Sequence, residues 1–309
     1  MTAESSGPTA WAAELAFAID TAARAGAVLM NRYERLERID RKSARDVVTE
    51  ADHLSEELVI AAIRARFPGD AILAEESGAH AGSHAESHAA GAGSQAARAG
   101  SRAAAHPRSR DGDPDVAPVV AEPPANGRTW VIDPLDGTVN YANGLPIFCV
   151  SIGFVVDGRP VAGAVLDPTR GETFAATADG GATLNGRPIR ASTKDGLSEY
   201  VISLSLSGRS AVSRAQAIRK EVRVSRSMGS ASLALAYVGN GRFDAFIQET
   251  SLSLWDIAAA GLIAERAGAT VTNFAGAGWY EPSHATRTIG SIAAPAAFHP
   301  RMLDLANRR

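Results

Sequence analysis

The chain of 309 residues has a single cysteine, only 6% aromatic residues and no excess of positive charge. One cysteine, Cys149, leaves no partner for an internal disulfide and excludes a cysteine-built zinc site. It lies in the apolar run Ile147-Phe148-Cys149-Val150 and reads as a small buried hydrophobe rather than a reactive thiol. Lys and Arg number 31 against 34 Asp and Glu, a formal net charge of −3. That balance gives no electrostatic case for a nucleic-acid partner or an anionic membrane surface. No apolar stretch approaches bilayer-spanning length, and residues 1–10 lack a basic segment ahead of an apolar core. The expectation is a cytoplasmic protein without a membrane partner. Neither Gly-x-Ser-x-Gly nor Gly-x-x-x-x-Gly-Lys-Ser/Thr occurs, which argues against a serine hydrolase and against P-loop phosphate binding.

A further absence is local. Residues 79–127 contain no Leu, Ile, Met, Phe, Tyr or Trp, while Ala, Gly, Ser, His, Pro and Arg dominate. Such a segment cannot bury enough apolar surface to offset its ordering entropy, so 79–127 is predicted to be a disordered insertion. His80, His84 and His88 fall at i, i+4 and i+8 and would share a metal-capable face on a helix. In an Ala/His/Gly-rich stretch that spacing reads as compositional drift.

Elsewhere 45% hydrophobic and 21% charged residues describe a globular chain with a substantial core. Periodicity predicts a long amphipathic helix over 11–36, a short strand and turn over 45–51, and a helix over 52–67 stopped by Pro68-Gly69. A buried strand over 71–74 ends at Glu75-Glu76-Ser77-Gly78. Strands follow over 148–156 and 160–166, joined by Asp157-Gly158-Arg159, then over 171–177, with Asn185-Gly186 as another hairpin turn. The second half is expected to run strand 200–206, helix 211–219, strand 221–224, helix 230–238, strand 245–249, helix 255–267 capped by Gly268, strand 290–294 and a short last helix. This mixture of strands and helices, with several antiparallel hairpins, fits an α/β (α+β) arrangement of sheets layered with helices.

The chemistry concentrates in Trp130-Val131-Ile132-Asp133-Pro134-Leu135-Asp136-Gly137-Thr138-Val139-Asn140. A buried strand runs into two carboxylates three residues apart, and Gly137 and Thr138 then offer backbone N–H groups at a helix start. Hard oxygen ligands beside anion-binding amides suit a magnesium-dependent reaction on a phosphate. Other carboxylates hold comparable positions. Glu75 follows a strand, and Asp52 and Asp256 end the capping-box-like segments Thr49-Glu50-Ala51-Asp52 and Ser253-Leu254-Trp255-Asp256. Glu249 lies seven residues before Asp256. Helix capping, worth about 1 kcal/mol each, is the plain alternative for Asp52 and Asp256.

These segments resemble the inositol monophosphatase family of magnesium-dependent, lithium-sensitive phosphatases. Asp133-Pro134-Leu135-Asp136-Gly137-Thr138 is similar to its first signature and Trp255-Asp256-Ile257-Ala258-Ala259-Ala260-Gly261 to its second. Lys42 with Asp46-Val47-Val48-Thr49-Glu50-Ala51-Asp52, and Glu75-Glu76-Ser77, resemble the upstream segments. The resemblance implies a layered α/β/α/β/α sandwich, with a half 1–190 carrying the metal site and a half 191–309 completing it. It also implies a homodimer. By the same resemblance Glu75, Asp133 and the carbonyl of Leu135 are ligands of a first Mg2+, and Asp133, Asp136 and Asp256 of a second. A third, more hydrated ion would share Glu75. Asp52, Thr138 and Glu75 are then catalytic residues, Asp52 and Thr138 orienting and deprotonating the attacking water. The N–H groups of Gly137 and Thr138 would hold the phosphate, and Gly229, Ala231 and Glu249 would face the substrate. That substrate would be a small polyol or sugar phosphate such as inositol 1-phosphate. Histidinol phosphate, a nucleoside or other sugar phosphate, and a regulatory binding module on the same fold are the alternatives. The insertion 79–127 and Ala74, where the family often has Gly, are the departures.

Overall fold

The computed structural model describes residues 10–35, 39–43, 46–82, 126–283 and 289–308. The chain opens with α1 (Ala12–Arg32), the hairpin β1 (Ile39–Ser43) and β2 (Asp46–Thr49), and α2 (Glu50–Arg66). β3 (Ala71–Ala74), β4 (Gly78–His80), β5 (Arg128–Asp136) and the short α3 (Thr138–Ala142) follow. Five more strands are β6 (Cys149–Val156), β7 (Arg159–Asp167), β8 (Glu172–Thr177), β9 (Ala182–Leu184) and β10 (Arg187–Pro188). The remainder comprises β11 (Val201–Ser205), α4 (Ala211–Glu221), β12 (Val224–Arg226), α5 (Ala231–Gly239) and β13 (Ala245–Leu252). It ends with α6 (Leu254–Arg266), β14 (Ala269–Thr272), β15 (Ile289–Pro295) and α7 (His299–Ala306).

Strands β10-β9-β8-β7-β6-β5-β3-β4 form an eight-stranded sheet, antiparallel throughout except that β3 and β5 run parallel. Strands β12-β11-β13-β15-β14 form a five-stranded sheet in which β11 is parallel to both neighbours. Alternation along the central strands assigns the faces. Trp130, Ile132, Val150, Ile152 and Phe154 point to a core shared with α1 and α2, whose Ala18, Ala22, Ala25 and Leu29 form the buried stripe of α1. Val131, Cys149 and Val155 point the other way, to a core shared with α5 and α6. A third core joins the five-stranded sheet to α4 and α7. The order helix, sheet, helix, sheet, helix is the layered α/β/α/β/α sandwich expected.

α6 is buried almost all round, as a central layer requires. Its Ala258-Ala259 step lies directly on Gly153 of β6 and Gly163 of β7. A Cβ on Gly153 would come within 2.7 Å of Ala258 Cβ, and one on Gly163 within 2.8 Å of Ala259 Cα. The run of small residues in the second signature is thus a packing surface, and it sets the depth at which Asp256 is held.

Some expectations are corrected at their edges. α1 ends at Arg32 rather than 36, and α2 begins at Glu50 because Thr49 caps it. The segment around 45–51 is the second strand of a hairpin whose first strand was not expected. α4 continues through Glu221, so the strand expected over 221–224 is β12, Val224–Arg226. β14 was not expected at all. The first residues of the insertion, Ala79 and His80, pair with β3 as part of β4, against the prediction of disorder from residue 79. Residues 83–125 of the insertion, with His84 and His88, lie outside the described residues. No helix of the described residues is long and apolar enough to cross a membrane.

Candidate active site

In a regular strand Asp133 and Asp136, three residues apart, would point to opposite faces. They do not, because β5 carries a bulge there. Asp133 pairs with Ser151 and Asp136 with Cys149, so three steps on β5 oppose two on β6. Pro134, which has no N–H to offer a ladder, stands inside the bulge. The extra residue returns both carboxylates to one side, and their oxygens lie within 4.8 Å of each other and of Asp256. Leu135 N–H closes onto Asp133 Oδ1 at 3.0 Å, and Ser55 Oγ donates to Pro134 O at 2.9 Å. Gly137, at φ +97°, then turns the chain into α3 in a conformation that favours glycine. A Cβ there would also meet Ile147 O at 2.9 Å.

Glu75 arrives beside Asp133 through the parallel pairing of β3 with β5. Ala74 is in register with Ile132, and Glu75 N–H continues the ladder to Ile132 O at 3.2 Å. Glu75 lies close enough to Asp133 for its charge to push the Asp133 carboxyl up.

Two of the predicted site acids serve as caps as well. Asp52 is the third residue of α2, where its Oδ2 accepts Thr49 N–H at 2.8 Å and Thr49 Oγ1 at 2.7 Å. Its Oδ1 accepts the Thr138 hydroxyl at 3.1 Å. That hydroxyl also lies 3.0 Å from Leu135 O, so its one proton is shared between two acceptors. Asp256 repeats the device at the third position of α6, with Ser253 N–H on its Oδ2 at 2.5 Å. Capping and site geometry are therefore compatible: in Asp52, one carboxylate oxygen serves each.

Asp136 caps a helix from another part of the chain. Ser230 Oγ and Ser232 N–H donate to its Oδ2, both at 2.7 Å, and Ala231 N–H to its Oδ1 at 3.2 Å. Asn140 Nδ2 holds the preceding turn through Met228 O, at 2.8 Å. Gly229 takes φ +73° there, and a Cβ would lie 2.9 Å from the Asn140 amide. The sequence did not point to Ser230, Ser232 or Asn140 as partners of this kind. Their signal is a Ser-x-Ser at a helix start, common in any protein.

Asp133 is 1% exposed and Asp136 8%, and no described Lys or Arg is ion-paired to either. Burial pushes the Asp133 carboxyl well above its usual range, and the charges of Glu75, Asp136 and Asp256 add to the shift. Asp136 is also raised by burial, against the opposing hydrogen bonds from Ser230, Ser232, Ala231 and Cys149. Cys149 Sγ lies 3.6 Å from Asp136 Oδ2, and burial first, then Asp136 and Asp133, push its thiol well up, consistent with an inert side chain. Buried carboxylates that repel one another need a counter-cation. An all-oxygen donor set of this density fits a hard divalent ion.

Glu249 is placed differently from the others. Arg214 Nη1 and Nη2 grip its two oxygens, each at 2.7 Å, and Ser207 N–H adds a bond at 2.8 Å. Arg214, first among these causes, holds the Glu249 carboxyl below its usual range. The strand bulges between Gln248 and Leu252, with Ser251 at φ +69°.

Taken together, these features describe a cluster of acidic residues that could hold a metal ion, at the end of a sheet, beside a helix start and inside a five-layer α/β sandwich. The chain belongs to the inositol monophosphatase family, whose model matches residues 11–308. It is 34% identical over 272 residues to a Pseudomonas aeruginosa protein named Nus factor SuhB, covering 85% of this chain and 86% of that one. It is 32% identical over 263 residues to the fructose-1,6-bisphosphatase/inositol-1-monophosphatase of Thermotoga maritima, covering 85% of each. Among solved structures, the Thermotoga maritima IMPase superposes with a TM-score of 0.74 at 29% identity, covering 96% of this chain and 97% of the other. The extragenic suppressor protein suhB of Bartonella henselae gives 0.77 at 25% identity, covering 96% and 99%.

Proposed function

We propose that this protein is a Mg2+-dependent phosphomonoesterase acting on a small polyol or sugar phosphate such as inositol 1-phosphate. The observation that carries the reading is the cluster of buried Asp133 and Asp136 with half-buried Asp256, and Glu75 is close enough to raise the Asp133 carboxyl. Glu75, Asp133 and the Leu135 carbonyl would hold one ion and Asp133, Asp136 and Asp256 a second, with a third, more hydrated ion on Glu75. When bound, the ions supply Lewis-acid activation of water and stabilise charge on the leaving oxygen.

The remaining work falls to the chain. Asp52, buried and bonded to the Thr138 hydroxyl at 3.1 Å, is the acceptor to which Thr138 can pass a proton from the attacking water. Glu75 completes the catalytic group. The N–H groups of Gly137 and Thr138 at the start of α3 orient the phosphate. Gly229 and Ala231, on the turn held by Asn140 and Asp136, would face the alcohol. Glu249 would do so as a carboxylate already fixed by Arg214, with acceptor capacity left on Oε1, where Arg214 Nη1 is the one donor among the described residues. Its charge being met by Arg214 favours a neutral polyol over the cationic histidinol ester. The division into halves 1–190 and 191–309, assembly as a homodimer, inhibition by lithium and a cytoplasmic location go with this reading.

The test is phosphate release from inositol, histidinol, fructose bis- and nucleoside phosphates, with Mg2+ and with added Li+. Mg2+-dependent release, strongest with the neutral polyol ester and lowered by Li+, is expected. Absence of release from every ester would favour a second reading, prompted by relatives named Nus factor, in which the fold works by binding a transcription partner.

A further inference from the structure

α5 starts without a cap of its own. The side chain of its N-cap residue, Ser230, accepts no hydrogen bond from the helix, and its hydroxyl donates instead to Asp136 Oδ2 at 2.7 Å. With Ser232 N–H on the same oxygen and Ala231 N–H on the other, the Asp136 carboxylate does the capping from 94 residues away. The two oxygens are unequally loaded. Oδ2 receives the Ser230 hydroxyl, the Ser232 amide and, more weakly, the Cys149 thiol at 3.6 Å. Oδ1 receives the single longer bond from Ala231, at 3.2 Å. A carboxylate oxygen has about two good acceptor directions. Oδ2 is therefore filled, and Oδ1, with one donor among the described residues, keeps acceptor capacity in a carboxylate that is part of the acidic cluster.

We propose that Ser230 is a positioning residue for the cation of the Asp133, Asp136 and Asp256 cluster. In the same step, cation binding and the seating of the α5 N-terminus on Asp136 become one linked equilibrium. The inference rests on the metal-dependent reading above. Ser230 fixes the rotation of the carboxylate before any ion arrives, so binding does not have to freeze it. An ion held by Asp136 would in turn strengthen the hold of the carboxylate whose Oδ2 anchors α5. By reciprocity, whatever α5 contributes to ion affinity the ion returns to α5. The turn carrying Gly229 and Ala231 is pinned at the same place by Asn140, so loading the metal also orders the segment assigned to the substrate.

The experiment is calorimetric titration of the full chain with MgCl2, for wild type, Ser230→Ala and Ser230→Thr. It is joined by hydrogen exchange of residues 231–239 with and without Mg2+. Ser230→Ala is expected to weaken Mg2+ binding about 10-fold or more, the range for removing a partner of a metal ligand. Ser230→Thr, which keeps the hydroxyl, should stay within about threefold of wild type. Mg2+ should slow exchange in the first turn of α5 in wild type, and less so in Ser230→Ala. Unchanged affinity in Ser230→Ala, or exchange in wild-type α5 that ignores bound Mg2+, overturns this inference alone. Wild type that binds no Mg2+ overturns the metal-dependent reading with it. Should Ser230→Ala fail to fold, the wild-type exchange comparison still decides.

Discussion

The Thr138 hydroxyl lies 3.1 Å from Oδ1 of Asp52, while Oδ2 of the same carboxylate closes the capping box of α2 on Thr49. Separating the two duties is a matter of choosing the substitution. Asp52→Asn keeps an acceptor for the cap but loses the base, so kcat should fall about 100-fold or more with the melting temperature nearly unchanged. Asp52→Ala should lose about 1 kcal/mol of stability as well. Thr138→Val should resemble Asp52→Asn in kcat, and Thr138→Ser should keep most activity. Full turnover in Asp52→Asn would remove Asp52 from the reaction.

Asp133 is a liability until a cation arrives. Asparagine preserves the acceptor for Leu135 N–H and removes a buried charge pressed by three carboxylates. Asp133→Asn should therefore abolish nearly all phosphate release and leave the metal-free protein at least as stable as wild type at pH 8. Thermal melts with and without EDTA, beside the activity assay, check both halves. Retention of more than a few per cent of activity by this variant and by Asp256→Asn would sink the assignment.

The raised Asp133 carboxyl also fixes a pH dependence. Its folded value stands above the ordinary 3.8, so the folded state keeps a proton that the unfolded chain releases. The stability this gives is full below the ordinary value and is lost as pH rises through the raised one. A Mg2+ ion bound at Asp133 would displace that proton. The rise in melting temperature on adding Mg2+ should accordingly grow from pH 5 to pH 8, and a rise independent of pH would count against a buried protonated cluster.

The contact of α6 with the eight-stranded sheet is tight enough to test from a distance. A side chain at Gly163 would press on the Ala259 backbone. Gly163→Val should cost about 1–3 kcal/mol and lower Mg2+ affinity by shifting Asp256. Urea unfolding and metal titration give the two numbers, and an unaltered affinity in the destabilised variant would separate α6 packing from the site.

Much of this site could be read from the chain because its chemistry is local. Asp133 to Thr138 and Trp255 to Gly261 carry carboxylates and turn residues in short runs, and Glu75 ends an apolar strand. What could not be read depends on contacts across the fold. The bulge that turns Asp133 and Asp136 to one side is set by the register of β5 on β6. The partner of Glu249 is Arg214, on a helix 35 residues away. The donors that hold Asp136 belong to α5, and a serine at a helix start announces nothing about which carboxylate it will meet. Short strands such as β4 and β14 have too few residues for alternation to declare itself.

Asp52, Asp136 and Asp256 each hold the first turn of a helix, α2, α5 and α6 in that order. A descendant that abandoned turnover would still be under pressure to retain all three, because losing them frays helices that the fold needs. The acids that such a lineage could discard first are those whose burial is unfavourable without an ion, with Asp133 foremost. At these three positions the fold itself calls for a carboxylate, whereas Asp133 holds only its own turn, through Leu135 N–H, among the described residues.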